Sequence, residues 1–174
     1  LNAEDYGLVG MLAIFSGIAS TIINSGFSVA LTNKLDATHK DYNAVFWFSF
    51  VVSICLYIVL FFSAPLIASF YDRQELVNLS RVIFASFLFS GMAIVPHVIL
   101  FKQLQVKMQA KIDVFALFLS GMCGVLLAFN GFAYWALAIQ STVYVASASL
   151  LKWMVVSWRP SLDFSIEPLK EMFP

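Results

Sequence analysis

Five apolar runs, separated by short polar stretches, dominate the chain; they lie at about 8–31, 45–70, 82–101, 114–132 and 134–156. Each is close to the ~20 residues that a helix needs to cross the hydrocarbon of a bilayer. In that solvent the backbone groups must pair within the segment, so runs of this length predict helices. Strands of a membrane barrel would be nearer ~10 residues and would alternate polar with apolar positions, a pattern missing here. The last two runs are split only by Asn130-Gly131-Phe132-Ala133. A continuous helix over 114–156 would overrun any bilayer, so Gly131 is the expected point of reversal, with Tyr134 and Trp135 in the interfacial belt. Among the ten basic and ten acidic residues only Lys152 falls inside a run, near its end, where a lysine is expected to snorkel to the headgroups.

Composition agrees with this pattern. The 174 residues are 61% apolar and only 11% charged, with 18 Phe, and the mean hydropathy is +0.87. That excludes a disordered tail, a disulfide-stapled secreted scaffold and a soluble enzyme. Basic and acidic residues cancel, so no field points to nucleic acid. Cys55 and Cys123 sit in apolar runs and are expected to be small buried hydrophobes rather than a metal pair or a disulfide. No metal-ligand spacing, cofactor motif or catalytic constellation is present, so the expected catalytic, metal and cofactor sets are empty.

The basic residues set an expected orientation. Lys34, Lys40, Lys102, Lys107, Lys111, Lys152, Arg159 and Lys170 fall on one side of the five runs, and only Arg73 and Arg81 on the other. The richer side is expected to be cytoplasmic, with residue 1 outside. The first residues are acidic and carry no signal-peptide pattern, so a further helix is expected upstream. Five runs plus one make six, half of a transporter. The reading is an all-α, polytopic bundle over 1–157 and a cytoplasmic, amphipathic tail over 158–174, in which Leu162, Phe164, Ile166 and Leu169 interleave with charges.

Polar residues inside the runs are the candidate chemistry. Asn24, followed by Ser25 and, one turn on, Ser28, falls in the first run. His97 follows Pro96 in the third, and Gln140 and Tyr144 stand four apart in the fifth. A polar group in hydrocarbon needs a partner or water. Each therefore either lines a wet cavity or makes an interhelical hydrogen bond worth about 1 kcal/mol. Pro96 removes the amide that would bond back to Met92 and is expected to bend its helix as a hinge. Asp113, at the edge of the fourth run, has Lys111 as its expected partner. The small pairs Ala13/Gly17, Ser16/Ser20 and Gly121/Gly124 have the spacing of close helix contacts.

Several stretches then carry a resemblance. Leu1-Asn2-Ala3-Glu4-Asp5-Tyr6-Gly7-Leu8-Val9-Gly10-Met11, Asn24-Ser25-Gly26-Phe27, Asp36-Ala37-Thr38, Ala64-Pro65-Leu66-Ile67-Ala68, Trp135-Ala136-Leu137 and Trp158-Arg159-Pro160-Ser161-Leu162 follow in order. In sequence and spacing the chain resembles the bacterial polysaccharide and lipopolysaccharide exporters, the flippase branch of the superfamily that includes the multidrug extruders. The resemblance covers essentially all of the chain, as spans two to six of a protein about two and a half times longer. It implies about 12 to 14 helices in two lobes around a cavity that opens alternately to each side. The implied substrate is an oligosaccharide on undecaprenyl pyrophosphate, in the bacterial inner membrane. The implied partners are that lipid-linked oligosaccharide, the bilayer lipids and other polysaccharide assembly proteins. Members often carry an acidic residue where this chain has Asn24, which argues against an ion-coupling role there. Two alternatives stay open: a drug or small-cation exporter of the same superfamily, and a membrane enzyme of polysaccharide assembly.

Overall fold

A computed structural model describes residues 3–24, 27–161 and 168–169. Among them every regular element is helical: α1 Ala3–Asn24, α2 Phe27–Asn33, α3 His39–Phe70, α4 Leu76–Lys102, α5 Val106–Phe129 and α6 Ala133–Val155. The first predicted run is covered by α1 and α2 on either side of residues 25 and 26, and the other four by one helix each. Four helices, α1, α3, α4 and α5, are long and apolar enough to cross a membrane. The fifth expected span, α6, has 23 residues but carries Gln140, Ser141, Thr142, Ser147, Ser149 and Lys152, which dilute its hydropathy.

The exterior is that of a membrane protein. Val51, Val59, Phe62 and Leu66 on α3, and Val114, Phe115, Phe118, Leu126 and Phe129 on α5, are all more than half exposed. Water would not tolerate so much contiguous apolar surface on a monomer. Cys55 belongs to this outward face and is exposed, not buried as expected; Cys123 is half-buried, and both thiols are free. The centre of the bundle is α4. Half of its most apolar stretch (50%) is buried, against 22% in α1, α3 and α5. Phe84 and Phe87 of α4 stack at 5.8 Å in this core, which also takes in Leu12, Leu31, Leu79, Val95 and Leu100 along the bundle.

Loop chemistry explains the short reversals. After α5 the amide of Gly131 donates to Ala128 O and that of Phe132 to Leu127 O, both at 3.1 Å. This paired closure needs a left-handed residue, and Gly131, at φ +81°, takes it without a Cβ clash. The same closure ends α3 through Asp72 (φ 51°) and α4 through Leu104 (φ 55°). At the start of α3 the Thr38 amide and hydroxyl both donate to Asp41, and Lys34 pairs with the same carboxylate at 2.8 Å. Lys102 closes the neighbouring end of α2 by donating to the carbonyls of Leu31 and Lys34. At the opposite end of the bundle Glu4 meets Arg73 at 2.7 Å. The ends so grouped are the ones that the basic-residue count groups.

Pro96 is buried within an uninterrupted α4. The Met92 carbonyl that it leaves without a helical donor accepts the indole N–H of Trp153, on α6, at 3.0 Å. Thr142 of α6 also donates to Val82 O of α4, at 3.2 Å. α4 and α6 are thus joined at two levels.

The described start of the tail, residues 156–161, is not helical. His39, Asn43 and Trp47, four apart on α3, meet its backbone: His39 Nε2 lies 3.2 Å from Arg159 O, Asn43 Oδ1 accepts the Ser161 amide at 2.9 Å, and Trp47 donates to Ser161 O at 2.7 Å. Trp158 packs against His39, Tyr42, Phe46 and Trp153. Leu162, Phe164 and Ile166 lie outside the described residues; Leu169 is buried in the core.

Of the expected close contacts, Gly124 makes one, whereas Gly17 and Gly121 face open space. The tightest approach is at Gly91, between α3 and α4. No small-residue spacing within α4 marks it, because its partners Ser49 and Ser53 are on the other helix.

Candidate functional site

α1 packs on α4 and α6, and α5 packs on α6 and α4, but among the described residues the backbones of α1 and α5 do not come within 8 Å of each other. A groove therefore runs between them, with α4 and α6 as its floor. Its part nearer the start of α1 has a volume of about 490 Å³, lined by Tyr6, Val9, Gly10 and Ala13 of α1, Leu117 and Ser120 of α5, and Leu137, Gln140, Ser141 and Tyr144 of α6. Tyr144 also lines the next part, about 250 Å³, with Ser28, Ser90, His97, Asp113, Ser149 and Lys152. Ser28 and His97 continue into a third hollow of about 190 Å³, beside Thr32 and Phe101.

The α6 side of the groove follows helix geometry. Gln140, Tyr144, Ala148 and Lys152 are spaced by four and share one face. The Gln140 side chain lies directly over Gly124 of α5. A Cβ at Gly124 would come within 2.6 Å of its Oε1 and 3.1 Å of its Cβ. Among the described residues the Gln140 carboxamide has no hydrogen-bond partner, so the interhelical bond open to it in the sequence is not made here.

Of the five polar residues expected to line a cavity, Ser28, His97, Gln140 and Tyr144 come together along this groove. The Asn24 side chain, like Ser25, lies outside the described residues. Pro96 precedes His97 on the buried side of α4 and lines none of the three hollows.

The charged pair in the groove corrects two expectations. Lys152 does not run out from the bundle; its side chain is only 14% exposed and lies 3.6 Å from the Asp113 carboxylate, which is 46% exposed. Asp113 does not pair with Lys111. Positions two apart on a helix point to different sides, so Asp113 turns into the groove while Lys111 stays outside. The readable signal was the continuation of the Gln140–Tyr144 stripe by two further turns, which ends on Lys152. The groove is thus divided: uncharged and mostly apolar at one end, where Gln140, Ser141 and Tyr144 are its polar side chains on α6, with one cation and one carboxylate at the other. A separation of 3.6 Å is long for a direct charge-assisted hydrogen bond, so the ammonium keeps donors for another acceptor.

Helices long and apolar enough to span a bilayer, with an apolar exterior, define a polytopic helical membrane protein. The chain belongs to the polysaccharide biosynthesis protein family, whose pattern it matches over residues 1–174. It is 30% identical, over 157 residues, to the teichuronic acid biosynthesis protein TuaB of Bacillus subtilis (strain 168). That match takes in 89% of this chain and 32% of the relative, so the chain spans about a third of the length of the curated protein it matches. No solved structure matches.

Proposed function

We propose that this bundle is part of a transporter that moves lipid-linked oligosaccharide units across the bacterial inner membrane. The observation that carries the reading is the groove itself, which sets Gln140, Ser141 and Tyr144 of α6 and the Asp113–Lys152 pair between two helices, α1 and α5, whose described backbones do not pack on each other. The barrier to moving a glycan is desolvation, because each hydroxyl taken into hydrocarbon without a partner costs roughly 2–7 kcal/mol. Gln140 offers a donor and an acceptor, and Ser141 and Tyr144 offer hydroxyls, so sugar groups exchange water for side chains on the way. No covalent chemistry is needed. The gap between α1 and α5 lets a lipid chain stay in the bilayer while its polar head occupies the groove. At the other end Lys152 offers positive charge to a phosphate, and its carboxylate partner keeps the empty groove neutral. The pairing of Asp113 with Lys152 also disfavours the reading as a cation exporter, since the carboxylate already has its counter-ion.

Gln140→Leu tests the reading. Among the described residues its carboxamide has no hydrogen-bond partner to lose, so the variant should accumulate in the membrane at the wild-type level. Surface polysaccharide, in cells that lack the native transporter, should fall several-fold per unit of membrane protein. Full export from Gln140→Leu, or a loss that only follows disappearance of the protein, rejects a role for this face of α6 in transport.

The proposed orientation places the end with Lys34, Lys102 and Arg159 in the cytoplasm. Single cysteines at Asn78 and Gly131 should react with an impermeant thiol reagent added to intact cells, and those at Thr38 and Gln109 should not. The reverse labelling pattern would invert the assignment.

A further inference from the structure

The outer face of α5 carries a feature that the groove does not use. Lys107 and Lys111 are exposed, one turn apart, and neither has a carboxylate partner among the described residues. Asp113, the nearest acid in sequence, is turned to Lys152 across the groove. Directly below the lysines is a shallow, open trough between side chains of α5 alone, lined by Ala110, Lys111, Val114, Phe115 and Phe118. Val114, Phe115 and Phe118 are 67%, 55% and 66% exposed, so no other helix among the described residues covers it. At a rise of 1.5 Å per residue, Phe118 sits about 10 Å deeper along the helix than Lys111.

We propose that this face of α5 holds one anionic phospholipid of the surrounding bilayer, with its phosphate on Lys107 and Lys111 and an acyl chain in the trough beside Phe115 and Phe118. The argument is complementarity of two kinds in one place. Two ammonium groups without a carboxylate partner among the described residues, at the edge of an apolar run, attract a phosphate at a membrane surface. The trough beneath accepts only hydrocarbon. A soluble anion would satisfy the lysines and leave the phenylalanines bare; a neutral lipid would do the reverse. An anionic phospholipid satisfies both, and it does so outside the transport groove.

Native mass spectrometry of the full-length protein, released from mild detergent after incubation with equal phosphatidylglycerol and phosphatidylcholine, reads the site. Wild type should retain phosphatidylglycerol in preference to phosphatidylcholine. The double variant K107Q/K111Q should lower that preference about tenfold. Phe115→Ala with Phe118→Ala should weaken retention of both lipids, and Lys40→Gln, an exposed lysine elsewhere, should change nothing. A preference that survives K107Q/K111Q overturns the proposal. So does an equal loss in Lys40→Gln, which would make the effect diffuse surface charge. Displacement of phosphatidylglycerol by a polyprenyl phosphate would also overturn it, by assigning the trough to the carrier lipid of the transported sugar.

Discussion

Gly91→Ala is expected to leave little folded protein. The added Cβ would stand 2.0 Å from Ser53 Oγ, 2.7 Å from Ser53 Cβ and 3.1 Å from Ser49 O. A rotamer change at Ser53 could move the hydroxyl, at the loss of its 2.7 Å bond to Ser49 O, but it cannot move Cβ, which is fixed to the α3 backbone. Relief therefore requires α3 and α4, the most extensively packed pair, to separate and open the core around Phe84. Overpacking of this kind costs about 3 kcal/mol. The yield of monodisperse protein in detergent and its melting temperature should both fall sharply, and Ser53→Gly in the same chain should restore most of the loss. A Gly91→Ala protein that melts like wild type would show that the two helices are not this close.

Lys152→Gln should lower export about tenfold per unit of membrane protein, the scale of one lost charge-assisted contact. The effect on folding should be smaller. Asp113 is nearly half exposed and can take water when its partner is removed, so the pair behaves more like a surface ion pair, worth at most about 1 kcal/mol, than like a dry one. Two companion variants separate charge balance from ligand contact. Asp113→Asn with Lys152→Gln keeps the groove neutral and should accumulate normally but stay poor in export. Lys152→Arg keeps the cation and should retain more export than Lys152→Gln. Export at the wild-type level from Lys152→Gln would remove this residue from the transport path.

The sequence by itself determined the class of the protein and the place of its helices. Runs of apolar residues without charges have only one low-energy form in hydrocarbon, and that constraint acts locally, residue by residue. The reversal at Gly131 was legible for the same reason, since a left-handed backbone there depends on the residue itself. The periodicity of α6 placed Gln140 and Tyr144 on one face without reference to any other helix. What that face looks at was a different matter. Either a groove or an interhelical bond satisfies a polar side chain in a membrane helix, and the choice rests on whether α1 closes against α5; among the described residues their backbones stay apart. The partner of Asp113 was decided in the same way. Lys111 is near in the chain but points away, whereas Lys152 is 39 positions distant and faces it. Trp153 shows the same logic. Nothing in its neighbourhood predicts that it would supply the donor for Met92, because that carbonyl is freed by Pro96 on another helix. Local backbone geometry is written in short stretches of sequence; the pairing of side chains depends on which helix faces arrive together, and only the tertiary structure fixes that.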